Sequence, residues 1–456
     1  MIDQAYGTLF RGAMFPLLEG RLRGRDTASL LRFLEVSQWR STDELIAYQH
    51  GELRKLVAHA AQNVPYYRER MAAHGVDASS VRTVEDLLKL PILSRDDARS
   101  FAAERRSTAG PPVDFEKATG GTTGEPLKFG YERKSEYWRQ AMKWRGYGWA
   151  GYRPGDVSLH FWGASTANFT RQRRWKIAAD HLLRREYYYD CHHRGEAELT
   201  AVVEAIVARR PRVLFCYTQA GVDLARFINE RGLRRWDRLP VLCGAERLLP
   251  QDRPVMEQAF GDAVFETYGS REVMLMGSEC EAHDGLHMSM ENVVVEIVVR
   301  DGERQRHAKP GELGEVVITD LHNWSMPFLR YANGDLAVAG GRERCRCGRG
   351  LLRFGPVEGR VADTLVDGNG ARVNGLVFNV VFTNYSHVVH RFQAVQHKDK
   401  RITLRLVQTR DLTAPERLDI EGHLRKYFPG IELTIERVAE IPAGKNGKRR
   451  VVIVES

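Results

Sequence analysis

The chain has 456 residues, of which 43% are hydrophobic and 28% are charged. A chain of this length usually forms two or more domains, and this composition is that of a globular protein rather than a disordered one. No apolar stretch reaches the roughly 18 residues that span a bilayer. The first residues lack the basic and apolar regions of a secretory signal, so we expect a cytoplasmic protein without a membrane partner.

The net charge is +9, from 68 basic and 59 acidic residues. The basic residues are spread over separate clusters at 105–106, 171–176 and 445–450. The sequence contains no helix-turn-helix pattern, no zinc-finger spacing and no RNA-binding aromatic motif. We therefore expect no nucleic-acid partner, and a small anionic substrate instead.

The predicted elements alternate between helices and strands. A helix is predicted over 41–63, where Ser41 and Glu44 form a capping box. The polar stretch 95–109 is predicted to be a connector, and further helices are predicted over 196–208 and 219–231. Short apolar runs predict strands at 157–161, 213–216, 241–243, 293–299 and 316–318. This alternation predicts an α/β fold.

The pattern changes after a stretch rich in glycine and aspartate turns at 359–370. Strands are then predicted at 390–397, 402–408 and 431–438, with a helix at 414–427. This order is typical of a small α+β domain. We place the boundary near residue 360, so that residues 1–360 and 361–456 form the two domains.

Thr119 begins the Gly/Thr-rich stretch TGGTTGEP. Glycine lets backbone N–H groups approach an anion closely, and threonine hydroxyls add donors, so such a loop suits phosphates. It is not a Walker A loop, and it is not the G-x-G-x-x-G of a dinucleotide fold. Taken alone, it could equally be a tight turn.

Two further stretches carry groups suited to a nucleotide. In 266–272 (ETYGSRE), Tyr268 can stack on a base and Glu272 can hold Mg²⁺. A strand end with a buried tyrosine and a surface glutamate is the alternative. In 330–335 (RYANGD), Asp335 can accept hydrogen bonds from ribose hydroxyls, although capping a turn is the commoner role of such an aspartate.

The fourth stretch, GKNGKRR at 444–450, lies close to the C-terminus. A lysine on a glycine-flanked loop can reach a distant site and neutralise phosphate charge there. A basic tail without such a role is the alternative.

In their order and spacing, these four stretches resemble the signature motifs of the acyl-adenylate-forming superfamily. The likeness is strongest to its phenylacetate–CoA ligase branch, which includes relatives linked to capsule biosynthesis and to adenylylation of a deazaflavin coenzyme. It runs from about Leu45 to Val452, and it includes Val64-Pro65-Tyr66-Tyr67. It implies a large multi-subdomain N-terminal α/β domain that binds ATP and the carboxylate, and a small mobile C-terminal α+β domain with the catalytic lysine.

The resemblance also implies roles for single residues. The loop that holds the β- and γ-phosphates of ATP corresponds to Thr119, Gly120, Gly121, Thr122, Thr123 and Gly124. The adenine pocket corresponds to Gly244, Ala245 and Glu246, with Tyr268 stacking on the base beside Gly269 and Ser270. Glu272 corresponds to the Mg²⁺ ligand, and Asp335 and Arg360 to the ribose-binding pair. Lys448 corresponds to the catalytic lysine, with Lys445 as a nearby rival.

The sequence departs from the family pattern at two places. Arg271 stands where a threonine usually precedes the magnesium glutamate, a change that this branch tolerates. At the domain hinge, Ala362 stands where Asp or Lys is usual, with Asp363 next. The hinge departure leaves the second half-reaction open.

The resemblance implies ATP-dependent activation of a small carboxylic acid to an acyl-AMP, followed by transfer to a thiol such as coenzyme A. An aromatic acid is expected by analogy, with Phe161, Trp162, Tyr217 and Tyr268 as candidates to line its pocket. Transfer to an amine or to a carrier-protein partner, or transfer of AMP itself, are alternatives. So is a non-catalytic nucleotide-binding protein. A homodimer is compatible with all of these.

Three cysteines and a histidine suggest a structural metal site. Cys280, His287, Cys345 and Cys347 supply donors suited to tetrahedral Zn²⁺, and the phenylacetate–CoA ligase branch looks similar here. His283 is an alternative fourth ligand, and reduced cysteines without a metal are the alternative to the site itself. The stretch Asp190-Cys191-His192-His193 is predicted to be a solvated loop.

Overall fold

The computed structural model describes residues 2–22, 24–119, 127–163, 170–191, 194–301, 304–360, 364–370, 372–385, 387–442 and 450–455. Within these ranges, no helix combines the length and the apolar character needed to cross a membrane. The helices are α1 (Ile2–Leu9), α2 (Thr27–Ser37), α3 (Thr42–Asn63), α4 (Pro65–Ala73), α5 (Arg95–Ser100), α6 (Arg133–Gly148), α7 (Arg171–Arg184), α8 (Glu196–Arg209), α9 (Thr218–Arg231), α10 (Asp252–Phe260), α11 (Leu376–Thr383) and α12 (Ala414–Tyr427).

An eight-stranded sheet forms the centre of the N-terminal part, in the order β14-β9-β8-β7-β6-β5-β3-β4. Its strands from β4 to β7 run parallel, and the other three are antiparallel. They are β3 (Ser158–Phe161), β4 (Glu186–Tyr189), β5 (Val213–Tyr217), β6 (Val241–Gly244), β7 (Val264–Ser270), β8 (Met274–Glu279), β9 (Leu286–Met288) and β14 (Arg353–Phe354). Helices α8, α9 and α10 bury their apolar faces on one side of this sheet. The N-terminal residues Phe10 and Phe15 pack on the other.

A second, antiparallel sheet has the order β11-β10-β12-β13-β15. Its strands are β10 (Val293–Asp301), β11 (Arg304–His307), β12 (Leu313–Asp320), β13 (Tyr331–Val338) and β15 (Val357–Arg360). A short antiparallel pair, β1 (Phe115–Ala118) and β2 (Lys128–Tyr131), lies on either side of the Gly/Thr-rich stretch. Leu93 pairs with Tyr331 alongside the second sheet, which brings the start of α5 to this region.

The C-terminal part contains a four-stranded sheet in the order β20-β19-β18-β21 and a hairpin, β16–β17. The strands are β16 (Thr364–Val366), β17 (Arg372–Asn374), β18 (Val389–Gln396), β19 (Ile402–Gln408), β20 (Leu433–Arg437) and β21 (Val452–Val454). Its buried apolar cluster, from Leu365 to Val452, draws on this part of the described chain alone.

The predicted α/β fold is confirmed, and most element boundaries agree closely with the prediction. The capping box is present, since Ser41 accepts a hydrogen bond from the Glu44 N–H and the Glu44 carboxylate accepts one from the Ser41 N–H. The connector predicted at 95–109 was wrong in its first part, which forms α5. The Ser94 hydroxyl caps this helix by accepting from the Asp97 N–H.

Candidate functional site

The predicted base-stacking and ribose-binding residues meet at the end of the parallel strands. Tyr268 lies near the end of β7, and Asp335 lies on β13 of the second sheet. The Tyr268 hydroxyl donates to Asp335 Oδ2 at 2.8 Å, and the Asn333 amide donates to both groups at 2.7 and 2.9 Å. A carboxylate held by two donors has a fixed direction, as the binding of a pair of hydroxyls requires.

Glu272 lies in the turn after β7 and is buried, contrary to the alternative of a surface glutamate. Its carboxylate accepts a hydrogen bond of 3.1 Å from the Tyr331 hydroxyl. Burial, and then the neighbouring charge of Glu272, raise the pKa of Tyr331, so this hydroxyl stays protonated and donates. Arg139 donates hydrogen bonds to the Glu272 carbonyl and to Asp320 Oδ2, and these two contacts tie the turn that carries Glu272 to β12.

Gly269 and Ser270 close β7 against β8. A Cβ on Gly269 would lie 2.3 Å from the Met274 carbonyl oxygen, so only glycine fits this close backbone approach. The Ser270 hydroxyl is buried and has no hydrogen-bond partner among the described residues. A buried hydroxyl without a partner is costly, which marks this point as one where a polar ligand atom would fit.

The predicted adenine-pocket residues follow β6 in a strained turn. Ala245 has a backbone φ of 68°, a value that residues other than glycine rarely adopt. The Glu246 carboxylate accepts a hydrogen bond from the Gln219 N–H at the start of α9, and the Glu246 carbonyl accepts one from the Thr218 hydroxyl. These contacts fix the turn at the same edge of the sheet as Tyr268.

The base of this turn is also held by Glu266 on β7. Its carboxylate accepts a hydrogen bond of 3.2 Å from the Leu248 N–H. Burial, and then the nearby charge of Glu279, raise the pKa of Glu266 to about 7. A buried carboxyl group with a raised pKa therefore holds the chain that follows the predicted adenine turn.

Thr119 is the first residue of the Gly/Thr-rich stretch and lies within the described residues. Its N–H donates to the Leu127 carbonyl, and its hydroxyl accepts from the Leu127 N–H, both at 3.0 Å. Arg95 also donates to this hydroxyl, at 2.7 Å, and Arg271 donates to the Ala118 carbonyl at 2.9 Å. The stem of the predicted phosphate loop therefore lies next to the turn that carries Glu272.

Several predicted residues cannot be placed. Outside the described residues lie Gly120, Gly121, Thr122, Thr123, Gly124, Ala362, Asp363, Lys445 and Lys448. Arg360 ends β15, where its Cα is the register partner of Asp335, so these two predicted ribose-binding positions are neighbours across a strand pair.

The four aromatic residues predicted for an acyl pocket do not form one group. Phe161 is fully buried in the main apolar cluster, so it is a core residue. Trp162 follows β3 and Tyr217 ends the neighbouring strand β5; their rings pack edge to face, with centroids 4.5 Å apart. Gly244 lies beside Trp162, since a Cβ there would lie 3.3 Å from the indole ring. Trp162 and Tyr217 are therefore the pair that borders the predicted adenine turn.

The four predicted metal ligands converge, with donor atoms all within 4.8 Å of one another. Cys280 Sγ and Cys345 Sγ are 3.7 Å apart, and Cys347 Sγ lies 3.3 Å from His287 Nε2. Tetrahedral zinc with Zn–S bonds of about 2.3 Å places two sulfur ligands roughly 3.8 Å apart. The donor set and its spacing therefore fit Zn²⁺.

The surroundings of this cluster support the fit. His287 Nδ1 lies 3.1 Å from the Leu351 carbonyl, which accepts a hydrogen bond from its N–H and leaves Nε2 facing the Cys347 thiol. The N–H groups of Ala282 and Arg349 point at two of the sulfur atoms, at 3.4 and 3.5 Å. His283, the alternative ligand, lies instead beside Phe265 and Glu279.

Cys191 is buried in the main core, so the predicted solvated loop is wrong at that residue. His192 and His193 lie outside the described residues. Among the described residues, several that hold the site had no predicted role, including Arg95, Arg139, Tyr331 and Asn333. Tyr331 and Asn333 stand beside Asp335 in its motif, which was the one available signal. Arg139 and Arg95 carried none.

Comparisons with known proteins show which sequences and folds this chain is similar to. Residues 365–455 match the CapK C-terminal domain family. The phenylacetate–coenzyme A ligase of Thermus thermophilus is 28% identical over 369 residues, which cover 78% of this chain and 79% of the relative. Protein CapK of Staphylococcus aureus is 22% identical over 436 residues, which cover 92% and 91%.

The fold is shared with a solved 2-hydroxyisobutyryl-CoA ligase in the postadenylation state. The TM-score is 0.69 at 19% identity, and 89% of each chain is covered. The resemblance to the acyl-adenylate-forming superfamily is confirmed. Within it, the similar sequences are phenylacetate–CoA ligases and CapK.

Proposed function

We propose that this protein is an AMP-forming ligase that activates a small carboxylic acid as an acyl-AMP and passes the acyl group to coenzyme A. The observation that carries the proposal is the bonded group of Tyr268, Asn333 and Asp335 beside the buried Glu272. Relatives that are phenylacetate–CoA ligases support the same activity.

In the first half-reaction, a carboxylate oxygen of the acid attacks the α-phosphorus of ATP. The bond from that phosphorus to the bridging oxygen breaks, and pyrophosphate leaves with the electron pair. Glu272 would hold Mg²⁺, which would neutralise phosphate charge. Asp335 and Arg360 hold the ribose, Tyr268 and the 244–246 turn hold the base, and Lys448 completes the charge stabilisation.

In the second half-reaction, the thiol gives up its proton to solvent, its sulfur attacks the acyl carbon, and AMP leaves with the electron pair of the broken acyl–oxygen bond. The proposal places the domain boundary near residue 360, so that residues 361–456 carry Lys448 and rotate between the two steps. The separate apolar cluster between Leu365 and Val452 supports this division.

The acid is proposed to be aromatic. Trp162 and Tyr217 support this choice, because they lie at the ends of the neighbouring strands β3 and β5, beside the adenine turn. Aromatic side chains bind aryl groups through offset or edge-to-face contacts. Phe161, which lies in the core, takes no part in this pocket.

The cluster of Cys280, His287, Cys345 and Cys347 is proposed to hold a structural Zn²⁺. Four protein ligands leave no open position for substrate, so the metal would tie β9 to the 345–351 loop rather than take part in catalysis. The spacing of the donor atoms supports the assignment.

The test is exchange of radiolabelled pyrophosphate into ATP across a panel of carboxylic acids, followed by acceptor trials on the best acid. We expect exchange that depends on an aryl or arylacetic acid, and a thioester product with coenzyme A. An amine, carrier-protein or hydroxyl product would replace the acceptor in this proposal. ATP binding without exchange for any acid would favour a non-catalytic nucleotide-binding protein.

A further inference from the structure

Two arginines that the proposed mechanism leaves unused donate hydrogen bonds to the Thr119 stem. Arg95 reaches it from the start of α5 and donates to the Thr119 hydroxyl at 2.7 Å. Arg271 reaches it from the turn after β7 and donates to the Ala118 carbonyl at 2.9 Å. Two separate segments therefore bring a guanidinium to the same point.

Neither guanidinium forms an ion pair with a carboxylate in the part of the chain that the structure describes. A guanidinium has five N–H donors, and each of these two uses one in the contacts above. Other arginines of this region are paired, such as Arg106 with Glu116 at 2.6 Å. Two unpaired guanidinium charges at one point mark a place for an anion.

The position of the two arginines relative to Glu272 indicates which anion they bind. Arg271 immediately precedes Glu272. Arg95 lies two residues after Leu93, which pairs with Tyr331, and the Tyr331 hydroxyl donates to the Glu272 carboxylate. The buried Ser270 hydroxyl, which lacks a partner among the described residues, lies on the same turn. The two arginines therefore lie on the side of the site where the carboxylate for Mg²⁺ and the phosphate loop stem meet.

We propose that Arg95 and Arg271 bind the β- and γ-phosphates of ATP and stabilise the pyrophosphate leaving group. The inference rests on the proposed function and adds two residues to its site. As the bond between the α-phosphorus and the bridging oxygen breaks, negative charge grows on the departing pyrophosphate, and two guanidiniums facing it lower the energy of that step. This role would explain why an arginine, Arg271, stands at the motif position where the family usually has a threonine.

The test compares nucleotides that do and do not carry these phosphates. Binding of ATP, AMP and inorganic pyrophosphate, each with Mg²⁺, is measured by calorimetry on the full chain and on its Arg95→Gln and Arg271→Gln variants. We expect each substitution to weaken ATP and pyrophosphate binding about tenfold, the size of one lost charge-assisted hydrogen bond, and to leave AMP binding unchanged. Arg106→Gln is the matched control, because Arg106 is exposed and paired with Glu116, and it should leave all three affinities unchanged.

Equal loss of ATP and AMP affinity would overturn the inference, because AMP lacks the two phosphates that the arginines are proposed to bind. Unchanged ATP affinity would overturn it as well. Arg271→Lys, which keeps the charge, serves if Arg271→Gln does not fold, and it should retain part of the preference for ATP over AMP. Failure of the unsubstituted protein to bind either nucleotide would instead contradict the proposed function, and the inference with it.

Discussion

In the cysteine cluster, four potential metal-ligand atoms converge on one point. In the nucleotide site, by contrast, the polar groups form hydrogen bonds with one another. Cys280, Cys345, Cys347 and His287 lie within 4.8 Å, and their shared centre suits a cation. Tyr268, Asn333 and Asp335 already satisfy each other by hydrogen bonds. A permanently bound metal can contribute to the stability of the fold. A substrate that leaves after each catalytic turnover needs a binding site that is stable without it.

The strongest way to break the nucleotide site while sparing the metal site is Lys448→Ala. We expect acid-dependent pyrophosphate exchange to fall by at least about 100-fold, because a charge that stabilises the transition state is removed. Thiolysis of a supplied acyl-AMP should be largely spared, and the zinc content should not change. Lys445→Ala is the matched control and should retain exchange. Equal loss of both half-reactions, or a larger loss in the Lys445 variant, would contradict the assignment.

The reverse experiment is Cys345→Ser, which removes a metal ligand and leaves the nucleotide groups in place. We expect the variant to lose its zinc and to be destabilised by about 4 kcal/mol, the range reached when a structural metal is lost. Elemental analysis and urea unfolding measure the two effects. Cys191→Ser, at a buried cysteine of the core outside the cluster, should keep its zinc. The zinc proposal would be contradicted if the unsubstituted protein contained no zinc when purified and if a chelator did not lower its stability.

The two sites also differ in how well the sequence predicted them. All four residues of the cysteine cluster could be chosen by residue type, because two closely spaced pairs, Cys280 with His287 and Cys345 with Cys347, supply donors suited to a metal. The positions of Tyr268, Glu272 and Asp335 came from a family resemblance. The hydrogen bonds from Tyr331 to Glu272 and from Asn333 to Tyr268 join residues 59 and 65 positions apart and left no local pattern, whereas the bond from Asn333 to Asp335 lies within one motif.

The fold shows the same limit of local information. The strands at 213–216 and 241–243 were predictable since they are apolar throughout and buried on both faces. Helix α5 was missed because it is six residues long and depends on the Ser94 cap and on the pairing of Leu93 with Tyr331. Cys191 was placed in solvent because its neighbours in sequence are polar, although the chain turns it into the core.

Within the nucleotide site, Asp335→Asn should weaken binding of ATP and AMP alike, because both carry the ribose. The expected loss is about 1.5–3 kcal/mol, the usual value for hydrogen bonds to a charged group. Calorimetry with the two nucleotides measures it. Asp367→Asn, on a turn of the C-terminal part, serves as a control for the loss of one carboxylate. A loss confined to ATP would place Asp335 near the phosphates instead of the ribose.

The smallest expected effect separates the two roles of Tyr268. Tyr268→Phe keeps the ring that stacks on the base but removes the hydroxyl that donates to Asp335 and accepts from Asn333. If the hydroxyl serves to fix the direction of the carboxylate, the affinity for AMP should fall by about 0.5–1.5 kcal/mol, and a further Asp335→Asn change should add less than it does alone. Tyr268→Leu should cost more, since the aromatic stack is lost as well. Strictly additive effects of the two substitutions would mean that Tyr268 binds the base without positioning Asp335. The nucleotide site would then be two independent half-sites instead of one bonded group.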